Sequence, residues 1–281
     1  MKFGLIGYPI EHSLSPALFK AGYGGLYPYD LIITEDFKEA YRRFLEGYDG
    51  INVTAPFKEL ALRKADIVSE ECRLVGATNL LIKTPEGIAA YNSDFRGLIA
   101  IFKGLKGDEK RTPFATSSLL PPAARGVARF FHPLSDHEKT VLIVGAGGAG
   151  KAAKAAAEAM GYETTVINRT QYSPEIKPLS SFTEEFKKAD IVIYNLPVRI
   201  PEIDMLTKAD LCHGKEKVIL EANYRNPSFG HGLIQRMIAI NPLVRYIDGR
   251  EWLLQQAVTG YELFTGKTPN CKAMKATIKS K

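Results

Sequence analysis

The stretch that most restricts the fold runs from Val141 to Gly161 and reads VLIVGAGGAGKAAKAAAEAMG. An apolar, β-branched run ends at Gly145, and an alanine-rich run of high helix propensity starts within a few residues. Gly145, Gly147 and Gly150 stand as G-x-G-x-x-G in the turn between them. The first glycine suits a tight turn, the second lets backbone approach a pyrophosphate, and the third lets helix and strand pack closely. The helix N-terminus then faces the anion. Strand, glycine turn and helix in this order predict a dinucleotide-binding βα unit, with Gly145, Ala146, Gly147, Gly148, Ala149 and Gly150 at the cofactor.

The tip of the following strand selects the dinucleotide. An NAD site places an Asp or Glu about 20 residues on, where it accepts from the ribose 2′-hydroxyl. Here "TTVINRT" ends in Asn168, Arg169 and Thr170, with no carboxylate. A guanidinium can pair with a 2′-phosphate that a carboxylate would repel, so the pattern favours NADP. Taken alone, Arg169 also reads as a surface arginine at a strand end.

The rest of the chain alternates in the same manner. Strands are predicted at 2–7, 29–34 and "GINVT", helices at "SPALFKAGY", 36–45 and "FKELALRKA", and a hairpin at 79–92 around Pro85-Glu86. A helix follows over 94–105. Ser15 reads as an N-cap with Pro16 at the first helical position. After the glycine turn come strands at "ADIVIYNLP", "EKVILEANY" and 244–247, and the amphipathic helix "GREWLLQQAVTGYELFTG". Such alternation predicts an α/β chain of two domains, an N-terminal α/β domain over 1–106 and a doubly wound Rossmann domain over 141–248. Between them, 107–140 holds four prolines and little pattern, and reads as an insertion or linker dispensable for the chemistry.

Composition removes several classes. Of the 281 residues 45% are hydrophobic and 24% charged, as in ordinary globular proteins. The net charge of +6 is scattered rather than gathered into a basic stripe, which argues against nucleic acid and fits anionic small molecules. Cys72, Cys212 and Cys271 show neither a disulfide framework nor, with the five histidines, metal-site spacing, so no metal is expected. No run approaches the ~20 apolar residues a membrane span needs, and the expected location is the cytoplasm.

One short segment asks for a chemical explanation. In "NVTAPFKE" (52–59) a strand stops at Pro56, which cannot donate to a ladder, and a single ammonium follows at Lys58. Residues just past strand ends in α/β proteins commonly face the ligand.

Read in order, "HSLSP" (12–16), "NVTAPFK" (52–58), "GATN" (76–79), "NSD" (92–94), "GAGGAGKA" (145–152), "NRT" (168–170) and "QQA" (255–257) resemble the shikimate dehydrogenase family over nearly the whole chain except 107–140. The resemblance implies an N-terminal substrate domain, a C-terminal NADP domain, and a final helix (249–270) packing back across the cleft. It implies reversible NADPH-dependent reduction of 3-dehydroshikimate to shikimate, with Lys58 and Asp94 as the catalytic pair. Ser13 and Ser15 would hold the substrate carboxylate, with Tyr224 reaching it from the second domain. Thr54, Asn79, Asp94 and Gln256 would bond the ring hydroxyls, and Gly249 would join the cofactor set. His12 reads as structural. Taken alone, Ser15 also reads as a cap, Asn79 as a turn residue, Gln256 as a solvated helix position and Tyr224 as a core aromatic.

Four departures from the family pattern stand out. Leu80 replaces a threonine, "NSD" replaces N-T-D, "YNLPVRIP" (194–201) lacks the Gly-Met of the nicotinamide loop, and Gln171-Tyr172-Ser173-Pro174 lacks a second basic residue after N-R-T. A quinate/shikimate dehydrogenase using NAD and a non-catalytic dinucleotide-binding regulatory homologue are the competing readings, with a monomer or homodimer expected in each.

Overall fold

The computed structural model describes residues 1–105, 139–211 and 215–279. Most of the predicted insertion, 107–138, lies outside them, as does Cys212. The described residues divide into two compact units, one holding 1–105 and 253–279, the other 139–252.

The first unit runs β1 (Phe3–Gly7), α1 (Ser15–Tyr23), β2 (Tyr29–Ile33), α2 (Phe37–Gly47), β3 (Gly50–Val53), α3 (Lys58–Leu62), β4 (Ile67–Val68), α4 (Glu70–Val75), β5 (Leu80–Thr84), β6 (Gly87–Tyr91) and α5 (Ser93–Leu105). Its sheet has the order β2-β1-β3-β5-β6-β4. β1 is parallel to β2 and β3, while β5 runs antiparallel to β3 and β6. Strand side chains alternate between the faces. Leu80 therefore joins one core with Phe3, Leu18 and Phe19, while Leu81 joins another with Ile6, Ile51 and Phe57. Burial on both faces explains why these strands read as continuous apolar runs.

The second unit runs β7 (Thr140–Val144), α6 (Gly148–Ala159), β8 (Glu163–Asn168), β9 (Ile176–Pro178), α7 (Phe182–Lys188), β10 (Ile191–Tyr194), α8 (Lys208–Leu211), β11 (Lys217–Glu221), α9 (His231–Ile240) and β12 (Val244–Ile247). Its strands pair in parallel in the order β12-β11-β10-β7-β8-β9. The order reverses direction beside β7, as in the doubly wound dinucleotide fold, where ligands bind at the switch point.

Two helices close the chain, α10 (Gly249–Thr265) and α11 (Cys271–Lys279). Leu254, Ala257, Tyr261 and Phe264 recur at helical spacing along α10 and join the Phe3–Leu18–Phe19 core of the first unit. Met274 and Ile278 of α11, a helix the sequence reading did not anticipate, complete that core. The short β4, α4, β9, α7 and α8 were also not anticipated, since runs of a few residues carry too little period to register, and neither was the ten-residue α9. One capping assignment is corrected. The first helix starts at Ser15, not after it, and Leu14 at the cap position makes no side-chain cap bond. Ser13 Oγ instead accepts from Ser15 N at 3.2 Å.

Candidate active site

In the first unit, β3 and the β6–α5 junction deliver the polar residues. β3 ends at Val53, and the chain still pairs once more through Thr54 N and Ile6 O before Ala55-Pro56. Lys58 is the first residue of α3. On the other side, Asn92 Oδ1 accepts from Phe95 N at 3.0 Å, capping α5, while Asn92 Nδ2 donates to Ala77 O. That cap sets Ser93 and Asp94 in the helix's first turn. Lys58 Nζ then donates to Asp94 Oδ2 at 2.5 Å, both side chains being largely buried, with 17% and 14% exposure.

The neighbouring amides form a chain. Asn79, 4% exposed, accepts from Ser93 N at 2.7 Å and donates through Nδ2 to Ser93 Oγ at 2.9 Å. Ser93 Oγ lies 3.0 Å from Gln256 Oε1 on α10. A glycine makes this meeting possible. A Cβ on Gly97 would stand 2.8 Å from Gln256 N, so only glycine lets α5 approach α10 at this point. Ser13 Oγ donates to Ser15 Oγ at 3.1 Å, and Tyr261 OH donates to Ser15 O at 3.1 Å. Burial pushes the Tyr261 phenol well above its ordinary range, so it stays a neutral donor. Thr54 is half-buried, and its methyl would lie 2.3 Å from a Cβ on Gly7.

In the second unit the glycine turn is built as the motif requires. Gly145 has φ +98, a conformation L side chains rarely adopt, and its N–H donates to Ile167 O. A Cβ on Gly150 would fall 1.9 Å from Gly145 O, whereas one on Gly147 would meet open space. Asn168 Oδ1 accepts from Ala146 N at 3.3 Å and Asn168 Nδ2 donates to Thr170 O at 3.0 Å. Gly148 and Ala149 supply the first N–H groups of α6, whose capping residue Gly147 offers no side chain to occupy them. Arg169 and Thr170 are exposed at the tip of β8, and among the described residues Arg169 pairs with no carboxylate. These features fit a dinucleotide: a turn open to a pyrophosphate, free helix N–H groups, and a guanidinium where a carboxylate would exclude a 2′-phosphate.

Tyr224 is half-buried on the loop after β11, and Gly249 opens α10. A Cβ on Gly249 would lie 2.4 Å from Ala222 O, which explains the glycine by close packing against that loop.

Three contributors escaped the sequence reading. Ser93 was legible only as the middle letter of "NSD". Glu221, fully buried at the end of β11, accepts from Ser228 N, Phe229 N and Tyr246 OH and so holds the loop bearing Tyr224. Tyr172 donates to Ala146 O at 2.6 Å and ties the segment after β8 to the glycine turn. The unusual "YNLPVRIP" loop has its own support, Tyr194 OH donating to Val198 O at 2.6 Å. Among the described residues no group of three or more His, Cys, Asp or Glu side chains is placed to hold a metal, and no helix is long and apolar enough to cross a membrane.

Residues 5–81 match the model of the shikimate dehydrogenase substrate binding domain, and 126–221 match that of the D-isomer specific 2-hydroxyacid dehydrogenase NAD binding domain. A shikimate dehydrogenase (NADP(+)) of Caldanaerobacter subterraneus is 31% identical, with 94% of this chain and 91% of the relative aligned. The chain belongs to the shikimate dehydrogenase family. A second shikimate dehydrogenase (NADP(+)), from Bacillus licheniformis, is 28% identical over 98% of this chain and 95% of its own. Among solved structures, shikimate 5-dehydrogenase from Thermus thermophilus, in complex with NADP(H) and shikimate, superposes with a TM-score of 0.71 at 23% identity, covering 100% of this chain and 99% of that one. At that identity the superposition bears on the fold. Shikimate dehydrogenase family membership thus extends over both units, although the second matches a domain model named for NAD.

Proposed function

We propose that this chain is an NADP-dependent shikimate dehydrogenase, reversibly reducing 3-dehydroshikimate to shikimate. The observation that carries this reading is the Lys58–Asp94 ion pair, 2.5 Å long and flanked by the buried Asn79–Ser93–Gln256 chain, in a family of that activity.

The chemistry follows from the residue types. When bound, NADPH supplies the hydride. As the ring ketone accepts it, charge grows on the carbonyl oxygen, and the Lys58 ammonium stabilises that charge and donates the proton. The Asp94 carboxylate aims the ammonium. In the reverse direction the amine takes the hydroxyl proton back. Ser13 and Ser15 are assigned the substrate carboxylate, with Tyr224 as a further contact. Thr54, Asn79, Asp94 and Gln256 are assigned the ring hydroxyls, for which amide, hydroxyl and carboxylate groups supply donors and acceptors. Gly145, Ala146, Gly147, Gly148, Ala149 and Gly150 are assigned the pyrophosphate. Asn168, Arg169 and Thr170 take the adenosine 2′-phosphate end, and Gly249 joins the cofactor set. A cytoplasmic monomer or homodimer acting on this small molecule completes the reading.

The deciding assay crosses NADP and NAD with shikimate and quinate, followed at the nicotinamide absorbance. Turnover highest with NADP and shikimate is expected. Preference for NAD with quinate, or none with any pair, would overturn the proposal.

A further inference from the structure

Ser93 stands between two side chains that the functional reading above assigns to substrate, and this inference rests on that reading. Its N–H donates to Asn79 Oδ1 at 2.7 Å, and a backbone N–H can only donate. The Asn79 amide therefore has its oxygen toward that N–H and its nitrogen toward Ser93 Oγ, 2.9 Å away. The hydroxyl now has one proton left to give and two oxygens in reach, Gln256 Oε1 at 3.0 Å and Asn79 Oδ1 at 3.3 Å. Asn79 Oδ1 already receives the shorter backbone bond. Gln256 Oε1 has no other donor among the described residues, so the proton goes there.

We propose that Ser93 is a positioning and specificity-determining residue. By giving its one hydroxyl proton to Gln256 Oε1, it turns Gln256 Nε2 outward as a donor to the substrate. Nε2 meets no acceptor among the described residues, and Gln256 is half-buried, so the N–H groups are available to a ligand. The orientation has a chemical consequence. An outward N–H binds a hydroxyl or a carbonyl oxygen alike, whereas an outward glutamine oxygen would bind only a hydroxyl. The subsite therefore accepts a ring oxygen in either oxidation state and rejects a ring lacking oxygen there, which would strand a desolvated donor. Ser93 itself is fully buried, so no solvent competes for its hydroxyl, and a side chain on Gly260 would crowd it, its Cβ coming within 3.2 Å of Ser93 Oγ.

The test is a double-mutant cycle on the full chain, read as KM for shikimate and for NADP separately, with thermal melts as the control for folding. Ser93→Ala and Gln256→Ala should each raise the shikimate KM about tenfold with kcat and the NADP KM little changed. The double variant should be no worse than either single one, because both remove the same oriented donor. Ser93→Thr, which keeps a hydroxyl, should restore the KM to within about threefold of wild type. If Ser93→Ala does not fold, Ser93→Cys, of similar volume but with a weak donor, takes its place. Additive effects, a shikimate KM unchanged in the folded Ala or Cys variant, a folded Ser93→Thr no better than it, or an equal rise in the NADP KM would each overturn the proposal. Wild-type protein that does not turn over shikimate would overturn the functional reading first, a result seen before any variant is made.

Discussion

Lys58 and Asp94, 36 positions apart in sequence, meet at 2.5 Å because a short helix begins at one and a capped helix begins just before the other. Each side chain sits in the first turn of its helix. The pair therefore depends on where two helices start, which Pro56 and the Asn92 cap help to set.

Removing the ammonium should remove the proton donor and leave the second unit alone. Lys58→Ala is expected to lower kcat by about 10²–10⁴, the usual scale for a positioned acid/base. NADP affinity, measured by fluorescence titration, should stay at the wild-type value. A folded variant within threefold of wild-type turnover would leave the Lys58–Asp94 pair a structural part only.

Arg169 should read the cofactor's 2′-phosphate. Arg169→Ala is expected to raise the NADP KM by roughly ten- to hundredfold, the loss of a charge-assisted pair, while the KM for NAD hardly moves. Equal weakening of both would assign the guanidinium a structural part only.

The close approach at Gly97 predicts a different signature. A Cβ there would lie 2.8 Å from Gln256 N and 3.1 Å from its Cα, and backbone must shift to admit it. Gly97→Ala should lower stability by about 1–3 kcal/mol, as overpacking does, and raise the shikimate KM by moving Gln256 from Ser93. Unchanged melting and unchanged KM would show that the two helices have slack.

Lys217, at the start of β11, offers a pH test of stability. It is 6% exposed, donates to Phe186 O and Ala189 O, and burial pushes its ammonium down to about 8 from an ordinary 10.5, with Asp190 acting weakly the other way. With the folded value below the unfolded one, the unfolded chain holds the extra proton between those limits. The cost is complete below about pH 8 and fades as pH rises. Denaturant melts of wild type and Lys217→Met should therefore diverge with pH. From pH 7 to pH 10 wild type should gain about 2–3 kcal/mol relative to the variant. A pH-independent difference would mean that the carbonyl acceptors hold the ammonium near its ordinary value.

Local chemistry alone made much of this protein legible. The glycine turn could be read from sequence because each glycine answers a short-range demand, a positive φ at Gly145 and a 1.9 Å approach between Gly150 and Gly145 O. The alternation of strands and helices was legible for the same reason, since period and capping act over a few residues. Tertiary structure alone decided the rest. Nothing near Ser93 in the chain says that its hydroxyl will meet Gln256, 163 residues away, or that Gly97 stands where it does to admit α10. Glu221 likewise looks like any strand-end acid until burial forces its oxygens onto Ser228 N, Phe229 N and Tyr246 OH. Short-range geometry is written in neighbouring residues, whereas the partner of a buried polar group is settled only when packing removes water and leaves it one place to bond.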